Sequence, residues 1–111
     1  MSHLTTHILD TSIGKPAANV KAIVYKHAHD EWQQVADGIT NEDGRISNLF
    51  NHEIILSGIY KIKFFTKEYF EKNSTATFFP FVEIVFEIDS SSHYHVPLLL
   101  NPFGYSTYRG S

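Results

Sequence analysis

His93 and His95 stand two residues apart, directly before the apolar run Val96-Pro97-Leu98-Leu99-Leu100. In an extended chain, successive side chains point to opposite faces. Tyr94, Val96, Leu98 and Leu100 then form one wholly apolar face, and His93, His95, Pro97 and Leu99 form the other. Two imidazoles placed this way project from the side away from the core, about 7 Å apart along the strand. Such a pair is solvated surface, a general base or a metal ligand, and spacing alone does not choose among the three. An imidazole titrates at about pH 6.5, so it accepts a proton from water with little tuning.

Other residues offer matching chemistry. His7 sits mid-strand between Thr6 and Ile8, where a histidine is either sheet surface or functional. Arg45 directly follows the turn sequence Thr40-Asn41-Glu42-Asp43-Gly44. Surface arginines are common. A guanidinium nonetheless donates two parallel hydrogen bonds and keeps its charge, which suits an anionic, planar, oxygen-rich ligand. His27 and His29 repeat the His-x-His spacing beside Asp30, in a polar connection that reads as solvated. Two such pairs admit zinc, but no spacing fixes a third ligand and no His-Glu-x-x-His is present. There is no cysteine, so thiolate nucleophiles and disulfides are excluded. Nucleophile elbows and phosphate-binding glycine loops are absent as well. An enzyme built from these residues would activate water directly with histidine. The final stretch, Tyr105-Ser106-Thr107-Tyr108-Arg109-Gly110-Ser111, is unusually rich in aromatic, cationic and hydroxyl groups for a terminus.

These side chains need rigid elements to hold them, and the pattern supplies strands. Leu4–Asp10, Asn19–Lys26, Trp32–Asp37, Arg45–Ser47, Gly58–Thr66, Phe81–Ile88, His93–Leu100 and Tyr105–Tyr108 alternate or are β-branched and aromatic. Ser12–Pro16, Thr40–Gly44 and Asp89–Ser92 read as turns. Ile54–Leu56 fits neither state well. Lys67–Lys72 is the one helical segment, with Thr66 as its cap and Asn73 as its end. Seven to eight short strands and one small helix predict an all-β antiparallel sandwich. With 111 residues the chain suits a single domain spanning 1–111. The formal charge of −3 gives no basic footprint for nucleic acid. No apolar run reaches membrane-spanning length, and neither a signal peptide nor a peroxisomal Ser-Lys-Leu address is visible. The expectation is a cytoplasmic protein, with peroxisomal and periplasmic settings left open.

The residues also resemble a known family. His7-Ile8-Leu9-Asp10, Gly14 and Pro16-Ala17 match the N-terminal signature of the transthyretin-like proteins, and within them the 5-hydroxyisourate hydrolases of urate degradation. Thr40–Arg45, Tyr69-Phe70 and Phe79–Ile84 match in the middle. His93–Leu100, Pro102 and Tyr105–Ser111 match at the end. Asn101 departs, standing where the family more often has Ser or Thr. The terminal Tyr-Arg-Gly-Ser is the most specific feature, carried by the hydrolases and not by the hormone-carrying transthyretins.

The resemblance implies a two-sheet transthyretin-like sandwich assembled as a homotetramer, with active sites along a central channel. It implies catalytic roles for His7, Arg45, His95 and Ser111, with His95 rather than His93 as the functional histidine of its strand. It also implies substrate contacts from His7, Arg45, Tyr108 and Arg109, and no metal or organic cofactor. In the implied chemistry, His7 and His95 position and deprotonate water, Arg45 stabilises the developing oxyanion, and Ser111 orients the histidines or substrate. The tail is then expected to end at Ser111. Two other readings stand beside it: a transthyretin-like carrier of small aromatic ligands, and a metal-binding sandwich using His7, His93 and His95.

Overall fold

The computed structural model describes residues 3–50, 55–89 and 93–110. Among these, the first sheet contains β1 (His3–Asp10), β2 (Lys15–Pro16), β5 (Arg45–Ile46), β8 (His93–Asn101) and β9 (Gly104–Thr107). Its order is β2-β1-β8-β9, and β5 also pairs with β1. The second sheet contains β3 (Lys21–Ala28), β4 (Glu31–Ile39), β6 (Gly58–Phe64) and β7 (Val82–Ile88), in the order β4-β3-β6-β7. A short helix, α1 (Thr66–Lys72), links β6 to β7. No helix among the described residues is long and apolar enough to cross a membrane.

The core follows from strand alternation. Leu4, Thr6, Ile8 and Asp10 of β1 and Tyr94, Val96, Leu98 and Leu100 of β8 turn inward. They meet Ala22 and Val24 of β3, Tyr60, Ile62 and Phe64 of β6, and Val82, Ile84 and Ile88 of β7. Removing a large apolar side chain from water in this way stabilises the fold by about 1.5–3 kcal/mol per residue. Among the described residues, Thr6, Asp10 and Thr40 are buried polar groups tied to neighbours, whereas the buried Thr66 hydroxyl has no hydrogen-bond partner. Thr6 Oγ1 donates to the Val96 carbonyl at 2.6 Å, joining β1 to β8. Thr40 Oγ1 donates to the Ala17 carbonyl at 2.8 Å and accepts from the Val20 amide at 2.9 Å. Asp10 accepts the Tyr69 hydroxyl at 2.7 Å, which fastens α1 to the end of β1. Burial, then this hydrogen bond, holds the Tyr69 phenol well above its ordinary range.

Three details differ from the sequence reading. The two-residue β2 forms where a turn was expected, pairing Leu9 with Pro16 and Asp10 with Lys15. β1 and β8 run parallel, whereas the other strand pairs are antiparallel. Strand content predicts sheets but not the direction of a pairing 90 residues apart in sequence. Thr66 does not cap α1: Phe65 occupies the N-cap without a side-chain bond, and Thr66 is the first helical residue, fully buried. Packing of its side chain into the core outweighs its capping preference. The expected turn through residues 90–92 and the unplaced Ile54 lie outside the described residues.

Candidate active site

The outward face of β1 carries His3, Thr5 and His7, and that of β8 carries His93, His95 and Pro97. Parallel register sets Thr5 opposite His95 and His7 opposite Pro97. On the other side of β1, the antiparallel pairing with β5 sets Arg45 opposite His7. Residues 45 and 95, far apart in sequence, therefore flank the same strand.

Arg45 is delivered by a tightly specified turn. Asn41 Oδ1 accepts the amides of Asp43 at 2.9 Å and Arg45 at 3.0 Å. The Asn41 carbonyl accepts the Gly44 amide at 2.9 Å. Gly44 has φ +71°, a conformation that suits glycine. Its carbonyl accepts the Ile8 amide at 2.8 Å, so the turn is bolted to β1 one residue beyond His7.

His95 is gripped from both ring edges. Thr5 Oγ1 lies 2.7 Å from Nδ1. On the opposite edge the tail passes so closely that a Cβ built at Gly110 would lie 2.5 Å from Cδ2. The Gly110 amide donates to the His95 carbonyl at 2.8 Å, continuing the β8–β9 pairing past the end of β9. An open cavity of about 400 Å³ lies against these groups, lined by Thr5, Thr6, Arg45, Ile46, Ser47, His93 and His95.

Electrostatics favour neutral imidazoles here. Burial, then the Arg45 charge, lowers the pKa of His7, while a backbone hydrogen bond and the charge at Asp43 oppose the shift. His95 is also lowered, by burial, then Arg45, His7 and His93, with a backbone hydrogen bond at Thr5 acting the other way. A histidine held neutral near pH 7 keeps a lone pair for proton abstraction. Arg45 supplies a permanent positive charge beside two such bases. This combination suits water activation next to a developing oxyanion.

The other expected residues fall in several places. His93 is exposed and stacks on His3, with ring centroids 5.1 Å apart. Tyr108 is exposed, in the tail segment between β9 and Gly110. The Arg109 guanidinium stands over the Tyr94 ring, 4.7 Å from its centroid, and does not line the cavity beside Arg45. Ser111 lies outside the described residues. His27 pairs with Trp32 in the other sheet, and His29 and Asp30 make the β3–β4 turn with φ of 54° and 61°. Among the described residues, no three His, Asp or Glu side chains gather in a way that would hold a metal ion. Sequence reasoning missed Thr5 and the reason for a glycine at 110. Period two did place Thr5 on the face of His7, but its partner depended on a register no local pattern encodes.

Comparison with known proteins gives the family. A family model described as the HIUase/Transthyretin family matches residues 4–110. The 5-hydroxyisourate hydrolase of Salmonella dublin is 44% identical, over 97% of this chain and 80% of that one. The solved structure of Klebsiella pneumoniae 5-hydroxyisourate hydrolase has a TM-score of 0.89 at 36% identity, covering 100% of both chains. Sea bream transthyretin in complex with thyroxine has a TM-score of 0.91 at 34% identity, covering 96% of this chain and 93% of that one. One backbone therefore serves both a hydrolase and a thyroxine-bound protein, and side chains must separate the two. On the family match and these identities, the chain belongs to the HIUase/Transthyretin family.

Proposed function

We propose that the chain hydrolyses 5-hydroxyisourate, opening its six-membered ring to 2-oxo-4-hydroxy-4-carboxy-5-ureidoimidazoline in urate degradation. The observation that carries this reading is that Arg45 and His95 line one cavity on the outward face of the first sheet, with His7 beside it as the register partner of Arg45. Two imidazoles biased toward neutrality and one guanidinium suit a cyclic amide hydrolase. The relatives named as 5-hydroxyisourate hydrolases support the choice of substrate.

In the proposed mechanism, His7 and His95 hold a water and one of them takes its proton. The oxygen bonds to a ring carbonyl carbon, and Arg45 stabilises the negative charge that moves to the carbonyl oxygen. Collapse of this intermediate breaks the ring C–N bond, and the departing nitrogen takes the proton back from the imidazolium. The carbon stays in the product as a carboxyl group, which loses the second water proton to solvent to become the carboxylate, and the nitrogen becomes the end of the ureido arm. Tyr108 shapes the pocket mouth in this scheme, and Ser111 orients the histidines or the substrate. Arg109 contributes by anchoring the tail on Tyr94, which assigns it a supporting place behind the sheet.

The proposed assembly is a homotetramer that encloses the outward face of the first sheet. Large apolar side chains left open in one copy, including Ile13, Phe78 and Phe103, support association. Light scattering on a sizing column checks the assembly. The activity is checked by ultraviolet decay of 5-hydroxyisourate made in situ from urate, after subtracting spontaneous decay. Decay no faster than the blank would remove the hydrolase reading and favour a carrier of small ligands.

A further inference from the structure

We propose that Thr5 is a positioning residue for His95, fixing the imidazole so that Nδ1 carries the proton and Nε2 presents its lone pair to the cavity. This rests on the hydrolase reading above and deepens it.

Thr5 and the tail engage specific atoms of the His95 ring. Nδ1 and Cδ2 are the two atoms bonded to Cγ. Thr5 Oγ1 occupies the Nδ1 side at 2.7 Å, and Gly110 crowds the Cδ2 side. Both atoms bonded to Cγ therefore have a close neighbour, Nε2 is the ring nitrogen that Thr5 does not engage, and the His95 side chain lines the cavity beside Arg45. A hydroxyl alone leaves the tautomer open, because it both donates and accepts. The choice follows from what Nε2 must do: a neutral imidazole carries one N–H, so a lone pair on Nε2 requires the proton on Nδ1, with Thr5 Oγ1 accepting it. The ring nitrogen on the Thr5 side is then the N–H, and Nε2 is the base. A base oriented by a third group is the usual arrangement of an activated catalytic histidine.

Thr5 reaches this place through two independent requirements. Its neighbours Leu4 and Thr6 are core residues, so alternation turns Thr5 outward. The parallel register then puts it opposite His95. Shifting that register by one residue would bury Thr5 and set Leu4 or Thr6 against His95 instead.

The test uses Thr5→Val, which keeps shape and strand preference but removes the hydroxyl, and Thr5→Ser, which restores it. Thr5→Val is expected to lower kcat about tenfold, as one hydrogen bond is worth, with KM nearly unchanged. Losing an acceptor from Nδ1–H weakens the imidazolium, so the acid limb of the rate profile moves to lower pH. Arg45, His7 and His93, the other charged and titratable groups acting on His95, are the same in both variants. Thr5→Ser should return both kcat and the acid limb toward wild type. Nitrogen-15 spectra of the His95 ring should show protonated Nδ1 in the parent and a mixed tautomer in Thr5→Val. Wild-type kcat, or an unmoved tautomer, in folded Thr5→Val overturns the proposal. If the parent itself shows no turnover, the hydrolase reading fails, and the ring spectra alone still decide whether Thr5 fixes His95.

Discussion

His7 and Arg45 are register partners across the β1–β5 ladder, so an imidazole and a guanidinium stand side by side on one face of the sheet. Like charge beside a titrating group disfavours its protonation. Burial lowers the pKa of both His7 and His95 first, and the arginine that would receive an oxyanion adds to that shift. Binding and base strength are set by the same short strand, and substitutions there should affect both.

His95→Ala should lower turnover by about 10²–10⁴-fold, the usual worth of general-base help. Arg45→Ala should lower it by about 10²–10³-fold, the worth of a lost oxyanion donor. Both side chains lie on the outward face, away from the core, so thermal midpoints should stay close to the parent's. Ultraviolet decay assays and circular dichroism melts check the pair. Near-normal turnover in purified His95→Ala would falsify its assignment as base.

The pH dependence has a definite sign. His7 and His95 have pKa values below the ordinary histidine value when folded. The acid limb of kcat/KM should therefore fall below about pH 6.5. For stability, the unfolded chain gains these protons at about pH 6.5, and the folded chain gains them only at lower pH. The contribution is complete above about pH 6.5 and is lost as pH falls through the folded values. Urea midpoints between pH 7.5 and pH 5 should decrease, and the decrease should shrink in a His7→Ala, His95→Ala double variant.

Gly44→Ala tests the turn that delivers Arg45. A Cβ there would meet the Ile8 carbonyl oxygen at 2.5 Å, in addition to the strain of φ +71°. The expected cost exceeds about 1 kcal/mol, which lowers the melting midpoint by about 4 °C or more in a domain of this size. Turnover should fall further than unfolding explains, because the turn also sets Arg45 against His7. A melt and an assay at the same low temperature separate the two effects.

Gly110→Ala and deletion of Tyr108–Ser111 probe the tail. The alanine methyl needs space the His95 ring occupies, so the ring must move. Both changes should reduce kcat at least tenfold, as expected when a catalytic group is misplaced, while leaving the buried core of both sheets unchanged. A protein that only carried small ligands would tolerate the deletion with ligand affinity intact. Ligand titration beside the turnover assay distinguishes the outcomes.

Chelation addresses the metal-binding reading. Protein purified without a polyhistidine tag and treated with a strong chelator should keep its turnover rate. Loss of rate on chelation and its return with zinc would assign His93 and His95 to a metal instead.

How much of this was legible beforehand varies with the range of the interaction involved. The inward sets Tyr94/Val96/Leu98/Leu100 and Tyr60/Ile62/Phe64 were readable because alternation is a local property of a strand. The Asn41–Arg45 turn was readable because Asn and Gly supply its hydrogen bonds and backbone angles locally. The parallel pairing of β1 with β8 was not, and with it went the Thr5–His95 contact. Thr66 was misplaced for a related reason: its burial depends on the rest of the fold, which its neighbours do not encode. Residue pattern also left His93 and His95 equivalent. The structure separates them, exposing His93 against His3 and wedging His95 between Thr5 and Gly110.

The parallel β1–β8 pairing has a consequence for biosynthesis. During synthesis β1 emerges before its sheet partners, and until β8 appears β2 and β5 are, among the described residues, the strands it can pair with. β8 and the tail emerge after these strands, and they bring His95 and Gly110 with them. Pairings between such distant segments carry a large loop-closure cost and form slowly. Arg45 can thus settle against His7 on a nascent chain, but the second histidine joins them only near the end. A truncated translation product would hold half a site on an incomplete sheet, so activity reports the closing step of folding as well as the chemistry.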